Sequence, residues 1–190
     1  MNDINTEIKK TLEILSKGGI ILYPTDTIWG IGCDATNEKL VEKIHKIKGR
    51  TAFKSMIILL DDFHKLKKYT EDIPKYALNF IENSSKPITI IYPNAKGVAK
   101  NLLAEDGSIG IRIPKSEFCK KLVRDFGKPI VSTSANYAGG PNPRCFKEIN
   151  KLIVNNVDYV ISLFHDRVGS NKPSTIMKFG SNDEFKLLRK

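Results

Sequence analysis

The chain has several short runs in which hydroxyls, amides and cations gather at the ends of apolar stretches. Thr25-Asp26-Thr27 follows Ile20-Ile21-Leu22-Tyr23-Pro24, and Ser132-Thr133-Ser134-Ala135-Asn136 follows Pro129-Ile130-Val131. Lys48, Arg50 and Lys54 crowd one connection, Arg112 sits within Ser108-Ile109-Gly110-Ile111-Arg112-Ile113-Pro114, and Ser174 and Arg189 lie near the end. These residue types suit an anion. Arginine offers a planar pair of donors to a carboxylate or phosphate, lysine a point charge, and serine, threonine and asparagine short neutral bonds that set orientation. Asp26 is the one acid among them. Such a set can run adenylate formation, in which a carboxylate or carbamate already carries the attacking charge and pyrophosphate leaves, so that positioning and charge stabilisation suffice.

Other chemistries lack their signatures. There is neither G-x-x-x-x-G-K-[ST] nor G-x-G-x-x-G after a first strand, so a P-loop and a dinucleotide fold are both unsupported. His45, His64 and His165 show no metal-binding spacing, and the hydroxyls at 132–134 lack the G-x-S-x-G elbow of a serine hydrolase. Taken singly, each polar residue also has an ordinary structural reading. Asp26 can cap a turn, Arg112 pair with a carboxylate, Asn136 stabilise the Gly139-Gly140 loop, and Lys48 stand in solvent.

The elements that must carry these residues can be read from periodicity. Ile4, Ile8, Leu12 and Leu15 recur at helical spacing until Gly18-Gly19, and residues 37–47, 116–126 and 146–154 read as further helices, with shorter helical patterns at 62–68 and 74–83. Strands are expected at 19–23, 56–60, 88–92, 108–114, 129–134, 158–163, 174–179 and 185–188. Alternation puts Ser108, Gly110 and Arg112 on one face of their strand. The pattern is mixed α/β, and no repeat, low-complexity tract or composition break divides the 190 residues, so one domain is expected over 1–190.

Composition narrows the partners. Lys and Arg total 31 against 21 Asp and Glu, a formal charge of +10, which favours nucleotides or RNA without choosing between them. Cys33, Cys119 and Cys145 are odd in number and lack any C-x-x-C pairing, which fits a reducing cytoplasm rather than a disulfide framework. No window reaches the roughly 18 apolar residues of a membrane span, so an unexported protein with no membrane partner is expected.

The ordered set Tyr23-Pro24-Thr25-Asp26-Thr27, Trp29-Gly30-Ile31-Gly32, Lys48-Gly49-Arg50, Ile111-Arg112-Ile113-Pro114, Ser132-Thr133-Ser134-Ala135-Asn136 and Pro173-Ser174-Thr175 resembles the YrdC family of threonylcarbamoyl-AMP synthases over nearly the whole chain. The resemblance implies a twisted, mixed open sheet with flanking helices around a large basic cavity. It implies a nucleotidyltransferase that joins L-threonine, bicarbonate and ATP into threonylcarbamoyl-AMP and pyrophosphate, for the threonylcarbamoyl-adenosine of tRNA. By carry-over, Lys48 and Arg50 are catalytic and, with Lys54, Ser134, Asn136, Arg144 and Arg189, bind ATP. Thr25, Thr27, Arg112, Ser132 and Ser174 hold threonine. Mg²⁺ is expected with ATP, with no ligand named, and tRNA-modifying transferases are the expected protein partners. Thr51 stands where the family often has proline, and Leu59 where longer members have histidine. The alternative reading is a non-catalytic module of the same fold that binds double-stranded RNA or tRNA.

Overall fold

The computed structural model describes residues 3–49, 56–165, 172–179 and 185–190. Helix α1 (Ile4–Ser16) starts where the Asp3 carboxylate accepts the Thr6 N–H at 2.7 Å, and it ends at Gly18, whose φ of +77° suits a residue without a Cβ. Its buried face differs from the apolar stripe read in the sequence. Ile4 is exposed, while Glu7 and Thr11 are buried beside Ile8 and Leu15. The reason is a polar network: Glu7 accepts from the Tyr159 hydroxyl at 2.8 Å, the Ser162 N–H at 2.7 Å and the Ser162 hydroxyl at 2.8 Å. A buried carboxylate is tolerable when it is hydrogen-bonded in this way.

Strand β1 (Ile21–Tyr23) turns back through the Thr25 to Thr27 turn into β2 (Gly30–Gly32), and helix α2 (Glu38–Ile47) follows from an Asn37 cap. Then come β3 (Ile57–Leu59), a 3₁₀ turn (Phe63–Lys68), α3 (Ala77–Asn83), β4 (Ile88–Tyr92) and β5 (Ile109–Arg112). Helix α4 (Glu117–Phe126), β6 (Ile130–Ser134), α5 (Lys151–Asn155), β7 (Tyr159–Val160), β8 (Thr175–Phe179) and β9 (Phe185–Arg189) complete the chain. Strand β2 is absent from the sequence reading, because two of its three residues are glycine and carry no strand signal. The helix expected over 146–154 is a 3₁₀ turn at Phe146–Glu148 followed by the shorter α5.

The strands form one nine-stranded mixed sheet in the order β7-β1-β2-β6-β3-β5-β4-β8-β9. Pairings β1–β7, β3–β5 and β4–β8 are parallel and the rest antiparallel. Each face covers a separate core. Leu22, Ile31, Ile58, Ile90, Ile111 and Val131 pack with Val41 and Ile44 of α2, while Ile21, Tyr23, Leu59 and Ile130 pack under α1 and α4. The second face also carries Gly30, Ile57, Arg112 and Ser132, so where α1 and α4 stop covering it, polar groups come to the surface. Between β8 and β9 the register shifts, Met177 facing Leu187 but Ile176 facing Arg189. The extra residue, Leu188, is a bulge that turns Arg189 to the face opposite Leu187. Among the described residues no helix is long and apolar enough to cross a membrane.

Candidate active site

A cavity of about 180 Å³ opens on the second face. Its walls are Thr25, Thr27 and Ile28 from the β1–β2 turn, Gly30 at the start of β2, Met56 and Ile57 at the start of β3, Arg112 from β5, Ser132 to Ser134 from β6, Asn142, and Pro173, Ser174, Ile176 and Arg189 from the last two strands and their approach. The two glycines of β2 stand in different surroundings, Gly30 in the cavity wall and Gly32 against the core. A Cβ on Gly32 would lie 2.6 Å from the Val131 carbonyl oxygen and 2.8 Å from Tyr23 Cε1, whereas one on Gly30 would reach Thr133 O at 3.4 Å and Ser132 Oγ at 3.5 Å. The first cannot be fitted; the second would stand in the cavity.

Arg112 is 3% exposed. Its Nη1 donates to Thr27 Oγ1 at 3.0 Å, its Nη2 lies 3.5 Å from Asp26 Oδ1, and its Nε has no hydrogen-bond partner among the described residues. Arg189 enters from the opposite side, donating from Nε to the Ser174 carbonyl at 3.0 Å and from Nη2 to Ser174 Oγ at 3.4 Å. Burial and the nearby charge of Arg112 push its pKa below the usual guanidinium value. Ser174 is in turn fixed by a buried hydroxyl, Thr89 Oγ1 at 2.7 Å. The sequence reading overlooked Thr89, although a threonine within the apolar run Ile88-Thr89-Ile90-Ile91 is itself a sign of a polar partner. It also left out Asn142 and Thr133, which line the cavity.

Lys48 departs from the solvent-facing reading. It caps α2 and is 1% exposed, and its ammonium donates to the Ser134 carbonyl, to the Asn136 carbonyl at 2.7 Å and to Asn136 Oδ1 at 3.3 Å. The Ala138 N–H returns a bond to the Lys48 carbonyl at 3.0 Å. Asn136 also accepts from the Ser134 hydroxyl and donates to the Gly140 carbonyl. Lys48, Ser134 and Asn136 are therefore one knot that ties the end of α2 to the loop after β6, with Ser134 at the cavity wall. Arg144 lies outside this knot: it is exposed and paired with Glu148, Nε to Oε1 at 2.9 Å. It does not line the cavity. Arg50 and Lys54 lie outside the described residues.

Two further groups limit the chemistry. Burial pushes the Cys119 thiol up to about 12, which removes it as a nucleophile, and no cluster of three His, Cys, Asp or Glu side chains that could hold a metal is found among the described residues. Asp26 already serves the Lys115 N–H at 2.9 Å and Arg112. The residues described thus offer an anion pocket rather than a metal-binding one.

The mixed sheet, strand-end hydroxyls and two neighbouring guanidiniums make this an α/β protein with a hydroxyl-lined cavity walled by arginine. The family model Sua5_yciO_yrdC, whose description is "Telomere recombination", matches residues 13–190, and the chain belongs to that family. It is 34% identical over 179 residues to the threonylcarbamoyl-AMP synthase of Pseudoalteromonas translucida, covering 93% of this chain and 94% of that protein. It is 37% identical to the putative threonylcarbamoyl-AMP synthase of Methanocaldococcus jannaschii, covering 90% and 82%. Among solved structures, E. coli YciO superposes with a TM-score of 0.84 at 25% identity, over 100% of this chain and 91% of that one. P. abyssi Sua5 complexed with L-threonine shares the fold with a TM-score of 0.81 at 24% identity, over 94% of this chain but 52% of that one, so the chain spans about half of that longer protein.

Proposed function

We propose that this chain is a transferase of the nucleotidyl class, an L-threonylcarbamoyladenylate synthase acting on L-threonine, bicarbonate and ATP. The observation that carries the reading is the approach of Arg112 and Arg189 to one cavity lined by serine and threonine. Two guanidiniums drawn together in a half-dry pocket repel each other until an anion lies between them. The names of the relatives supply the class of anion.

The chemistry balances without a protein nucleophile. The neutral threonine amine takes up bicarbonate to give a carbamate and water, the carbamate oxygen attacks the α-phosphorus of ATP, and the bond to the bridging oxygen breaks to release pyrophosphate. Arg112 faces the amino-acid carboxylate, with Thr27, Ser132 and Ser174 setting orientation. Arg189 and the Ser134–Asn136 loop face the nucleotide, and Lys48 supports that loop from beneath; Arg50 and Lys54 keep the phosphate role expected of them. A cavity of about 180 Å³ is below the roughly 300–1,000 Å³ of a drug-sized site. It therefore suits the amino acid, with the nucleotide lying across its mouth. Magnesium arrives as the counter-ion of ATP, where it neutralises the triphosphate. The product serves threonylcarbamoyl-adenosine formation in tRNA, in the cytoplasm, through a separate transferase.

Pyrophosphate release from ATP, with threonine, bicarbonate and Mg²⁺ each omitted in turn, tests this together with mass detection of the adenylate. Release that needs all the substrates supports it. Release independent of threonine, or salt-sensitive RNA binding without turnover, would overturn it.

A further inference from the structure

Thr25 lines the cavity, yet its hydroxyl is fully engaged inside the protein. A hydroxyl has one proton and two lone pairs. Thr25 Oγ1 donates its proton to the main-chain carbonyl of Ile28 at 2.7 Å and accepts the Thr27 N–H at 3.1 Å. Its third neighbour, Thr27 Oγ1 at 2.9 Å, must therefore be the donor. With its proton committed to Thr25, Thr27 Oγ1 can meet Arg112 Nη1, at 3.0 Å, only as an acceptor. The direction is set along the whole line: Arg112 to Thr27, Thr27 to Thr25, Thr25 to the Ile28 carbonyl. Asp26, between the two threonines, stands 3.5 Å from the other terminal nitrogen of the same guanidinium and is itself held by the Lys115 N–H at 2.9 Å.

We propose that Thr25 and Asp26 are positioning residues that touch no substrate, and that the Thr25-Asp26-Thr27 turn is a directional clamp presenting Arg112 to a carboxylate ligand. Three consecutive residues constrain one cation. The turn supplies an acceptor to one terminal nitrogen and a negative charge to the other, so the guanidinium cannot rotate away from the cavity wall. Reversal of the Thr27 hydroxyl would put its proton against an N–H of Arg112, and the Thr25 bond to Ile28 prevents that reversal. Bidentate recognition of a carboxylate depends on such a fixed plane. That the carboxylate belongs to L-threonine rests on the function proposed above; the clamp itself does not.

Two readouts separate these. In nitrogen NMR of labelled arginine side chains, with the Arg112 signals assigned by their loss in Arg112→Lys, the clamped guanidinium gives resolved, slowly rotating terminal NH₂ groups. Thr25→Val, isosteric but without the hydroxyl, should merge them, and Thr25→Ser should keep them resolved. Calorimetry should find the L-threonine Kd raised about tenfold in Thr25→Val, the equivalent of one hydrogen bond to a charged group, and restored in Thr25→Ser. Asp26→Asn is the second probe should Thr25→Val fail to fold, and it should merge the signals likewise. Resolved Arg112 signals in the folded valine or asparagine variant would overturn the clamp. Merged signals in a protein that binds no threonine would support the clamp and overturn the threonine reading alone.

Discussion

Replacing Lys48 by methionine tests whether its ammonium is a structural tie. The stem keeps its length while the donor to Ser134 O, Asn136 O and Asn136 Oδ1 disappears. Asn136 Oδ1 retains the Ser134 hydroxyl as a donor, so the loss falls on the two main-chain carbonyls. An acceptor stripped of its partner costs about 1–3 kcal/mol, and because these carbonyls are only partly buried the lower half of that range applies to each, or about 2–4 kcal/mol together. For a chain of 190 residues, each kcal/mol moves Tm by about 2–4 °C. Lys48→Met should thus melt about 4–16 °C below the parent. Amide exchange at Ala138, whose N–H is bonded to the Lys48 carbonyl, should quicken. Calorimetry and hydrogen exchange on the two proteins measure both effects. A Tm within 2 °C and unchanged exchange at Ala138 would refute the argument and return Lys48 to solvent.

Gly30→Ala and Gly32→Ala should part company: the first is expected to melt within about 3 °C of the parent and lose threonine binding, the second to lose about 1–3 kcal/mol from overpacking against Val131 and Tyr23. Thermal melts beside calorimetric titration check the pair. Glu7→Leu should cost about 2–4 kcal/mol, by leaving the Ser162 N–H and the Tyr159 hydroxyl without their acceptor, read as a fall in urea midpoint. Burial works against ionisation of Asp34, but hydrogen bonds from Lys128 and Thr36 prevail and hold its carboxyl below the ordinary 3.8. Its folded pKa lies below its unfolded one, so its contribution is complete above the unfolded value and is lost as pH falls through the folded one. Asp34→Asn should accordingly destabilise at pH 7 and be nearly neutral near pH 2, as melts across that range would reveal.

Sequence periodicity located most of the elements, because alternating and helical spacing record which face is buried. It failed where burial and residue type disagree. Glu7 and Thr11 hid half of the buried face of α1, and glycine hid β2. The candidate site residues could be named from type and motif, and most of those described line one cavity. The division of labour among them could not be read, since it depends on where protons point. Thr25 and Arg112 are 87 positions apart in number, and only the folded register brings Thr27 to the guanidinium. Likewise, a lysine in a basic stretch carries no mark that distinguishes a buried tie from a solvated charge.

The bulge at Leu188 has a consequence for how this edge of the sheet can vary. Every residue of β9 is exposed, so few of its side chains are constrained by packing, yet the strand delivers Arg189 to Ser174. What it contributes there is a register. Leu188→Ser should be tolerated, and deletion of residue 188 would restore regular pairing with Arg189 still opposite Ile176 and on the cavity face; it is pairing of Leu188 itself with Ile176 that would swing the guanidinium to the face shared with Leu187 and empty one wall of the cavity. Along this edge the cavity depends on which residue stands opposite Ile176, and not on the side chain at 188.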